Sequence, residues 1–320
     1  MTQVLVELRS AVRPHLATLS AGDRILVAVS GGADSLALAG ALLAESKELL
    51  ITCIGVTIDH QLQDGSDIQA RKVVNQLERI GFSEVISQEV TVDQSSGLES
   101  GARDARYAAL HAIADQRGAI QIYLGHTRDD QAESVLLGLA RGSGARSLSG
   151  MAAVNGKIIR PLLSVTREVT EQACKDLGLD AWSDPHNFNT EFSRVRVRTQ
   201  VLPVMEKEIG PGIAEALART ASLLRDDADA LDEIAQREIS RFDLTNLGCE
   251  ELEALPRAIR SRVLRAAIYA AGAPSGSITA EHLAAVEALV TSWRGQGEVS
   301  LPGGVKVERI SGRLSLLAQP

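Results

Sequence analysis

Cysteine and aromatic residues are scarce in this sequence. Its 320 residues include three cysteines, Cys53, Cys174 and Cys249, which lie far apart and form no C-x-x-C pair. This spacing argues against a disulfide framework and against a zinc or iron–sulfur site. Aromatic residues make up 3% of the chain. A platform of rings that stacks nucleic-acid bases is therefore not expected to be the main binding mode.

The sequence also lacks the features of exported and membrane-bound proteins. After Met1 comes an amphipathic stretch that contains Glu7 and Arg9, where a signal peptide would have a basic start and an apolar run. No apolar stretch reaches the roughly 18 residues that a membrane span needs. We therefore predict a cytoplasmic protein without a membrane partner.

The charge of the chain is unevenly distributed. A net charge of −8 argues against a nucleic-acid partner when it is taken alone, because contacts to phosphates usually come from a basic surface. Residues 141–200, however, carry nine Lys and Arg against six Asp and Glu, and acidic residues dominate on either side. This basic block favours a folded RNA that is bound by arginines.

Strand-like and helix-like segments alternate over the first 140 residues. The apolar pattern predicts buried strands at 24–30, 49–59, 84–90 and 120–126, and helices at 35–44, 66–80, 98–117 and 129–140. Strands that are apolar on both faces belong to a parallel sheet that helices cover on both sides. The predicted fold of residues 1–205 is therefore α/β, with a doubly wound, Rossmann-like parallel sheet.

A second, smaller domain is predicted beyond this sheet. The Ala-, Leu-, Asp- and Glu-rich segment 206–240 is expected to form a connecting helical linker. Residues 241–320 then show two helical patterns and a terminal strand pair around Pro302-Gly303-Gly304. We predict a small mixed α+β domain there.

The first predicted strand leads into a short polar loop before a helix. The loop residues are Ser30, Gly31, Gly32, Ala33, Asp34 and Ser35. Its glycines leave backbone N–H groups unobstructed, and the N-terminus of the following helix favours negative charge. The other common phosphate loop, G-x-x-x-x-G-K-[ST], does not occur in the chain. The pattern predicts a phosphate site, with a plain helix-capping turn as the alternative.

This loop resembles the pyrophosphate loop of the N-type ATP pyrophosphatases, which split ATP into AMP and pyrophosphate. The resemblance implies that residues 30–35 bind ATP and that Asp34 takes part in catalysis and is a candidate ligand of Mg²⁺. Asp59, followed by His60 at the end of the second strand, resembles the Asp-His of tRNA(Ile)-lysidine synthetases. Asp59 is therefore expected in the nucleotide site, and a turn cap is the alternative.

A helical motif of the same family follows. Glu99, Ala102, Arg103, Arg106 and Tyr107 resemble its pattern E-x-x-A-R-x-x-R-Y. The resemblance implies that Arg103 contacts the nucleotide and steadies its α-phosphate. A salt-bridged surface helix is the alternative.

The segment 124–151 resembles the tRNA(Ile)-lysidine synthetase segment that contains H-x-x-D-D-Q-x-E-T. His126 ends a strand, and Asp130 and Glu133 start the next helix three residues apart, on one face. Two carboxylates beside ATP would repel its phosphates, so they suit a cation, either Mg²⁺ or an ammonium group. A lysine amine has a pKa of about 10.4, so carboxylates can bind its protonated form, and the proton must leave before attack.

The resemblance accordingly implies that Asp130 and Glu133 bind L-lysine and that His126 contacts the α-phosphate of ATP. The alternative for the two acidic residues is a favourable interaction with the helix dipole.

Five arginines of the basic block are candidates for RNA contacts. Arg141 and Arg146 enclose a Gly/Ser loop, and Arg194, Arg196 and Arg198 alternate in a segment that resembles the family pattern D-P-x-N…R-x-x-x-R. If that segment is extended, its three arginines line one face. We predict that all five bind tRNA, with solvated surface charge as the alternative.

The resemblance implies an ATP-dependent ligase. It would join L-lysine to C2 of the wobble cytidine in tRNA(Ile) with the anticodon CAU, through an adenylated cytidine, releasing pyrophosphate and AMP. A tRNA base thiolation enzyme of the same superfamily is an alternative, although such enzymes usually need reactive cysteines. A nucleotide-sensing module without turnover is a second one, and a homodimer is compatible with the sequence.

Overall fold

The computed structural model describes residues 2–61, 65–93, 97–142 and 144–318, with all side chains in these ranges except those of Leu98, Glu99, His186 and Ala318. The chain divides into two compact units, Met1–Arg225 and Asp226–Pro320. The division falls inside the segment 206–240, which the sequence predicts to connect two domains.

The first unit is built on one six-stranded sheet. Its strands are β1 (Arg24–Ala28), β2 (Thr52–Asp59), β3 (Glu84–Glu89), β4 (Ala119–Leu124), β5 (Val154–Asn155) and β6 (Ile158–Ile159). They lie in the order β3-β2-β1-β4-β6-β5, and all neighbours are parallel except β5 and β6. The strand order reverses between β1 and β4, and a ligand crevice is expected outside the carboxyl ends of strands at such a point.

Helices of the first unit follow or precede these strands. They are α1 (Gln3–Leu16), α2 (Ala33–Glu48), α3 (Ser66–Ile80), α4 (Leu98–Arg117), α5 (Arg128–Ala140), α6 (Ala145–Leu148), α7 (Arg167–Asp176), α8 (Ser193–Arg196), α9 (Leu202–Glu208) and the start of α10 (Ile213–Ile239). A 3₁₀ turn spans Pro185–Phe188, and a π-helical turn at Val197–Val201 joins α8 to α9.

The core of the first unit lies on both faces of the sheet. Alternate residues of β1 face opposite ways: Ile25 packs with α1, α2, α3 and α7, whereas Leu26 packs with α4. Both side chains have no exposed surface, and each buried aliphatic side chain of this size stabilises the fold by about 2 kcal/mol. The apolar strands thus bury both faces, which confirms the predicted doubly wound α/β fold.

The second unit contains a separate antiparallel sheet. Its strands are β7 (Asn246–Gly248), β8 (Val299–Ser300), β9 (Val305–Ile310) and β10 (Arg313–Ala318), in the order β7-β10-β9-β8. Its further helices are α11 (Cys249–Ala254), α12 (Arg257–Ala270) and α13 (Ala280–Thr291). Val263, Leu289 and Val305 are among the residues that join helices and strands in one core. The predicted mixed α+β unit is therefore present.

Within the described ranges, no helix combines the length and the apolar content that crossing a bilayer requires.

Candidate active site

The loop at residues 30–35 follows β1 and opens α2. Gly31 has a φ of 90°, which favours glycine, and its carbonyl oxygen accepts a hydrogen bond from the backbone N–H of Trp182 at 2.9 Å. The hydroxyl of Ser35 accepts a hydrogen bond from the backbone N–H of Ser30 and donates one to the carbonyl of Gly32. The loop is thus closed by its own polar groups, and Gly32 lies at the start of α2 without a side-chain cap. The resulting helix N-terminus can receive an anion.

A cavity of about 150 Å³ lies beside this loop. Its lining includes Ser30, Asp59, His60 and Trp182. The Asp59 carboxylate is buried and accepts a hydrogen bond from the backbone N–H of Gln61 at 2.8 Å. Asp59 therefore caps the turn after β2 and also borders the cavity. The two interpretations of its sequence position, a turn cap and a place near the nucleotide, are compatible with each other.

Three carboxylates of the first unit converge on one guanidinium. Arg167 lies 3.5 Å from Asp34 (Nε to Oδ2), 3.2 Å from Asp130 (Nη2 to Oδ1) and 3.6 Å from Glu133 (Nη1 to Oε1). The Asp34 carboxylate also accepts a hydrogen bond from Thr170 of α7. The structure thus brings the phosphate loop and the acidic pair of α5 together, and α7 links them.

Asp34 and Asp130 respond differently to this environment. Burial raises the pKa of Asp34 to about 6, although the Thr170 hydroxyl and the charge of Arg167 oppose this increase. Burial also disfavours the charge of Asp130, but the guanidiniums of Arg167 and Arg194 outweigh it and hold the pKa of that carboxyl below its usual range. Asp130 is therefore ionised at neutral pH, whereas the charge of Asp34 is sensitive to conditions near pH 6.

Glu133 is enclosed by arginines of the segment that follows the 3₁₀ turn. It has no exposed surface. Its Oε2 accepts a hydrogen bond from Arg194 Nε at 2.8 Å, and its Oε1 accepts one from Arg198 Nε at 2.7 Å. Arg194 and Arg198 also approach Asp130 Oδ1 to 3.7 Å.

Residues 194–198 are not extended, so the condition under which their three arginines would line one face is not met. The segment is helical, in α8 and the π-helical turn, and its apolar residues Val195, Val197 and Leu202 are buried. Residues four apart share a face of a helix, so Arg194 and Arg198 both turn toward Glu133. Arg196 faces elsewhere and donates hydrogen bonds to the carbonyls of Thr190 and Glu191.

His126 lies two residues beyond β4. Burial lowers its pKa to about 3, and the charges of Arg106 and Arg160 lower it further, whereas the charge of Asp130 opposes them. Its Nδ1 is buried and has no hydrogen-bond partner among the described residues. The imidazole is neutral at physiological pH and can accept or donate a hydrogen bond.

The remaining predicted site residues lie on surface segments. Arg103, on α4, is exposed and lies over the ring of Tyr107 at 5.0 Å from the centroid. Glu99 of the same motif falls outside the described side chains. Arg141 and Arg146 are exposed on either side of the turn between α5 and α6, and Ser143 of that loop falls outside the described residues.

Sequence reasoning missed Arg167 and Thr170. The helices predicted from the sequence do not include residues 167–176, although Thr166 caps α7 by accepting a hydrogen bond from the Val169 N–H. An N-cap threonine before an amphipathic stretch was the available signal. Nothing local shows that Arg167 meets Asp34 and Glu133, because these contacts connect distant parts of the chain.

A preformed metal site of three or more His, Cys, Asp or Glu side chains is not found within the part of the chain that the structure describes. Asp34 nevertheless fits a cation that arrives with a ligand. Its burial disfavours the ionised form, and a nearby cation would stabilise that form.

Comparison with known proteins agrees with the sheet and the loop, which together define the class of PP-loop proteins. Residues 3–205 match the PP-loop domain family. Residues 247–315 match the TilS substrate binding domain.

Relatives that align with nearly the full chain identify its family within this class. A tRNA(Ile)-lysidine synthase from Thermobifida fusca is 51% identical over 313 residues, which cover 97% of this chain and 96% of that protein. Another from Streptomyces coelicolor is 54% identical over 295 residues, covering 91% and 84%. The chain belongs to the tRNA(Ile)-lysidine synthase family and is therefore a ligase that uses a PP-loop domain.

A solved structure of a U34-tRNA thiolase, NcsA from Methanococcus maripaludis with its [4Fe-4S] cluster, has a similar fold. The TM-score is 0.59 at 20% sequence identity, and the match covers 69% of this chain and 80% of that one. At this identity the likeness concerns the fold alone.

Proposed function

We propose that this protein joins L-lysine to C2 of the wobble cytidine of tRNA(Ile) with the anticodon CAU, at the expense of ATP. The C2 carbonyl is a poor electrophile, so its oxygen first attacks the α-phosphorus of ATP and pyrophosphate leaves. The ε-amine of lysine then attacks C2, loses a proton, and AMP leaves with the former carbonyl oxygen. Membership of the family supports this proposal, and so does the convergence of Asp34, Asp130 and Glu133 on Arg167.

The nucleotide would lie along the carboxyl ends of β1 and β2. The N-terminus of α2 and the hydroxyls of Ser30 and Ser35 suit the phosphates, and the cavity beside Asp59 and Trp182 suits part of the nucleoside. We assign the α-phosphate to the neighbourhood of His126 and Arg103. A neutral His126 can donate a hydrogen bond to a phosphate oxygen without the cost of charging a buried ring.

Asp34 is the residue that would hold Mg²⁺. The ion, when bound, supplies positive charge that stabilises the leaving pyrophosphate. Thr170 and Arg167 orient the carboxylate of Asp34 in the ligand-free protein. The pKa of about 6 means that this carboxylate is largely ionised at neutral pH and available as a ligand.

For the lysine substrate, the contacts favour Asp130 as the direct partner of the amine. Glu133 is wholly buried and makes hydrogen bonds of 2.7 and 2.8 Å to two arginines. The Oδ1 atom of Asp130, by contrast, has guanidinium nitrogens no closer than 3.2 Å among the described residues. We therefore propose that Asp130 contacts the ammonium group and that Glu133 holds Arg194 and Arg198 around it.

The five arginines that the sequence predicts to contact RNA fall into two groups. Arg141, Arg146 and Arg196 are exposed, and their charges can reach an RNA backbone. Arg194 and Arg198 direct their guanidiniums toward Glu133, so we assign them a supporting role, with RNA contact only through their outer atoms. The unit that matches the TilS substrate binding domain would add further tRNA contacts. A cytoplasmic location and a homodimer stay predictions.

Base thiolation is disfavoured by the cysteines. All three are buried, and burial raises the pKa of Cys53 to about 11 and that of Cys174 to about 12. Burial also raises the pKa of Cys249. A nucleophilic cysteine needs the thiolate form, which these environments oppose.

Label transfer tests the proposal directly. The protein is incubated with ATP, Mg²⁺, labelled lysine and a tRNA(Ile) transcript with the anticodon CAU. We expect label in the RNA and stoichiometric release of pyrophosphate and AMP. The controls are the same transcript with adenosine at the wobble position and a reaction without ATP, and neither should take up label. Absence of transfer to the CAU transcript by folded protein that binds ATP would refute the proposal.

A further inference from the structure

A turn at residues 149–151 follows the loop that contains Arg141 and Arg146, which we call the basic loop. Ser149 has no exposed surface, and its hydroxyl donates a hydrogen bond to the carbonyl of Arg146 at 2.6 Å. Gly150 has a φ of 59°, in the left-handed region that favours glycine. The turn therefore gives the basic loop a structured end between α6 and β5.

Gln131 of α5 binds this turn with both polar atoms of its side chain. Its Oε1 accepts a hydrogen bond from the backbone N–H of Met151 at 2.7 Å, and its Nε2 donates one to the carbonyl of Met151 at 3.0 Å. Gly150 approaches so closely that a Cβ there would lie 2.6 Å from Gln131 Oε1. Because Gln131 is buried, these two hydrogen bonds take the place of water at its amide.

Arg225 of α10 binds the same turn from another side. Its Nη2 donates to the carbonyl of Ser149 at 2.8 Å and to the carbonyl of Gly150 at 2.6 Å. Arg225 is the last residue of the first unit, so these contacts lie within that unit. Two helices that are far apart in the sequence thus hold one short turn.

The basic loop begins and ends on α5. Arg141 is the C-cap of that helix, so the loop starts there. On the way back, the carbonyl oxygen of Ser147 lies 3.3 Å from the position that a Cβ of Gly138 would occupy, and the turn then meets Gln131. Gly138 and Gln131 lie on one face of the helix, because seven residues make about two turns. The loop is therefore fastened along this face.

A different face of α5 carries the acidic pair of the site. Asp130 and Glu133 lie on that face and approach the guanidinium of Arg167. One helix therefore holds the two carboxylates and, through Gln131, the end of the basic loop. Since a helix is stiff over so short a distance, the two groups keep a fixed separation.

We propose that Gln131 and Arg225 are positioning residues for RNA binding, which hold the basic loop at a fixed distance from Asp130. The inference rests on the proposed function, which assigns RNA contacts to the two arginines of this loop. Attack of an amine on a base needs both reactants in a defined geometry. Contacts to the RNA backbone and to the amine from one helix supply that geometry.

RNA affinity at several salt concentrations tests this role in the full chain. An anticodon stem-loop with the anticodon CAU is titrated into the wild type and Gln131→Met, without ATP or lysine. Methionine is similar in length but makes neither hydrogen bond, and the substitution removes no charge. We expect about fivefold weaker binding and a slope of log K against log salt that is smaller by about one, because a displaced arginine leaves its phosphate. Unchanged affinity, or weaker binding with an unchanged slope, would overturn the proposal.

Gln76→Met is the matched control. Gln76 of α3 makes the same pair of hydrogen bonds to one residue of another segment: its Oε1 accepts from the Asp180 N–H at 2.8 Å, and its Nε2 donates to the Asp180 carbonyl at 3.0 Å. The substitution removes the same contacts there and should leave the RNA affinity unchanged. Equal weakening by both substitutions would point to a general loss of stability and refute the positioning role.

A double-mutant cycle shows whether Gln131 acts through the basic loop. The variant with Arg141→Gln and Arg146→Gln should bind RNA more weakly than the wild type. Adding Gln131→Met to it should weaken binding little further, because the arginines that the turn positions are already absent. If the effects multiply, Gln131 acts by another route and the proposal fails.

Arg225→Lys tests the second contact. Lysine keeps the positive charge but lacks the guanidinium that reaches two carbonyls. We expect weaker RNA binding with a smaller salt slope, as for Gln131→Met. Wild-type affinity and slope would overturn the role of Arg225.

Gly150→Ala disturbs the contact without changing Gln131. Its Cβ would meet the Gln131 amide, whereas Gly156 has a φ of 57° and a Cβ there would meet nothing within 4 Å. Both alanine variants carry similar backbone strain, so weaker RNA binding is expected for Gly150→Ala alone. Equal RNA affinity of the two variants would contradict the proposal.

The outcomes separate this inference from the proposed function. A wild type that binds the stem-loop but transfers no lysine refutes the proposed function and leaves the positioning role intact. Lysine transfer by the wild type, together with wild-type RNA binding by Gln131→Met and Arg225→Lys, refutes the inference alone. A wild type that does not bind the stem-loop refutes both.

Discussion

Arg198 holds Glu133 by a two-pronged contact, with 2.7 Å from Nε to Oε1 and 3.2 Å from Nη2 to Oε2. The carboxylate has no exposed surface, so this contact and the one from Arg194 replace its hydration. The pair connects α5 with the helical segment after the 3₁₀ turn. It therefore fixes the wall of the site on which Asp130 lies.

Removing either member of this pair should destabilise the fold. Glu133→Gln removes the carboxylate that Arg194 and Arg198 contact most closely, and Arg198→Ala removes one of the two arginines that hydrogen-bond to that buried carboxylate. We expect a loss of about 3–5 kcal/mol of unfolding free energy in each case. Urea denaturation measures it. Arg196→Ala is the control because, among the described residues, Arg196 donates to two backbone carbonyls and a serine hydroxyl and to no carboxylate. A similar loss for Arg196→Ala would contradict this account.

Replacing Asp130 by Asn should raise the KM for lysine at least tenfold and change the KM for ATP by less than threefold. The amide removes the negative charge but can still accept the Thr127 N–H bond that caps α5. Steady-state kinetics with each substrate varied in turn provide the test. Asp129→Asn is the neighbouring control, since the Asp129 carboxylate accepts a hydrogen bond from the backbone N–H of Arg167, which an amide oxygen can also accept. Equal effects of Asp130→Asn on both KM values would assign Asp130 to the metal.

Asp34→Asn should remove a pH-dependent loss of stability. Because burial raises the pKa of Asp34 from 3.8 to about 6, the folded protein holds this proton more tightly than the unfolded chain. The stability that the protonated group contributes is present below about pH 4 and is lost as the pH rises through 6. Two pKa units correspond to about 3 kcal/mol. We expect the variant to gain up to about that much relative to the wild type between pH 4 and 7, in urea denaturation without ligands.

The contribution of His126 to stability changes with pH in the opposite direction to that of Asp34. Burial lowers its pKa to about 3, so the stability contributed by the neutral ring is present above about pH 6.5 and is lost as the pH falls toward 3. The effect of Asp34 is therefore measured as the difference between Asp34→Asn and wild type, in both a His126 and a His126→Asn background. A difference that does not change with pH would refute the raised pKa of Asp34.

Gly31→Ala should impair ATP binding more than it impairs folding. Gly31 has a φ of 90°, and a Cβ there would lie 2.8 Å from Val73 Cγ2 and from Gln69 Nε2, two residues that line the cavity. We expect the KM for ATP to rise at least tenfold. Gly118→Ala is the control, because Gly118 also has a positive φ but a Cβ there would meet nothing within 4 Å. It should lose about 1–3 kcal/mol of stability and keep its KM for ATP.

The sheet and the phosphate loop were predictable because their signals are local. The strand at Arg24–Ala28 is an apolar run, and the glycines after it are in the sequence itself. The acidic pair Asp130 and Glu133 was also predictable, from its spacing at the start of a helix and from a family motif.

The partners of these residues were not predictable in the same way. Arg194 and Arg198 alternate with valines, a pattern that suits a strand, and only the packing of Val195, Val197 and Leu202 shows that the segment is helical. Thr170 reaches Asp34 across 136 positions of sequence. Such contacts depend on the tertiary arrangement, and no local pattern specifies them.

The backbone N–H of Trp182 donates a hydrogen bond to the Gly31 carbonyl, so this tryptophan is attached to the phosphate loop. Its fluorescence can therefore report on the state of the loop. Trp182 is one of the residues that line the cavity beside the phosphate loop, and the chain has one other tryptophan, Trp293, in the second unit. In a Trp293→Phe variant, the tryptophan emission therefore comes from Trp182 alone. A change of that fluorescence on addition of ATP would follow occupancy of the cavity in real time, without labels and before any chemistry occurs.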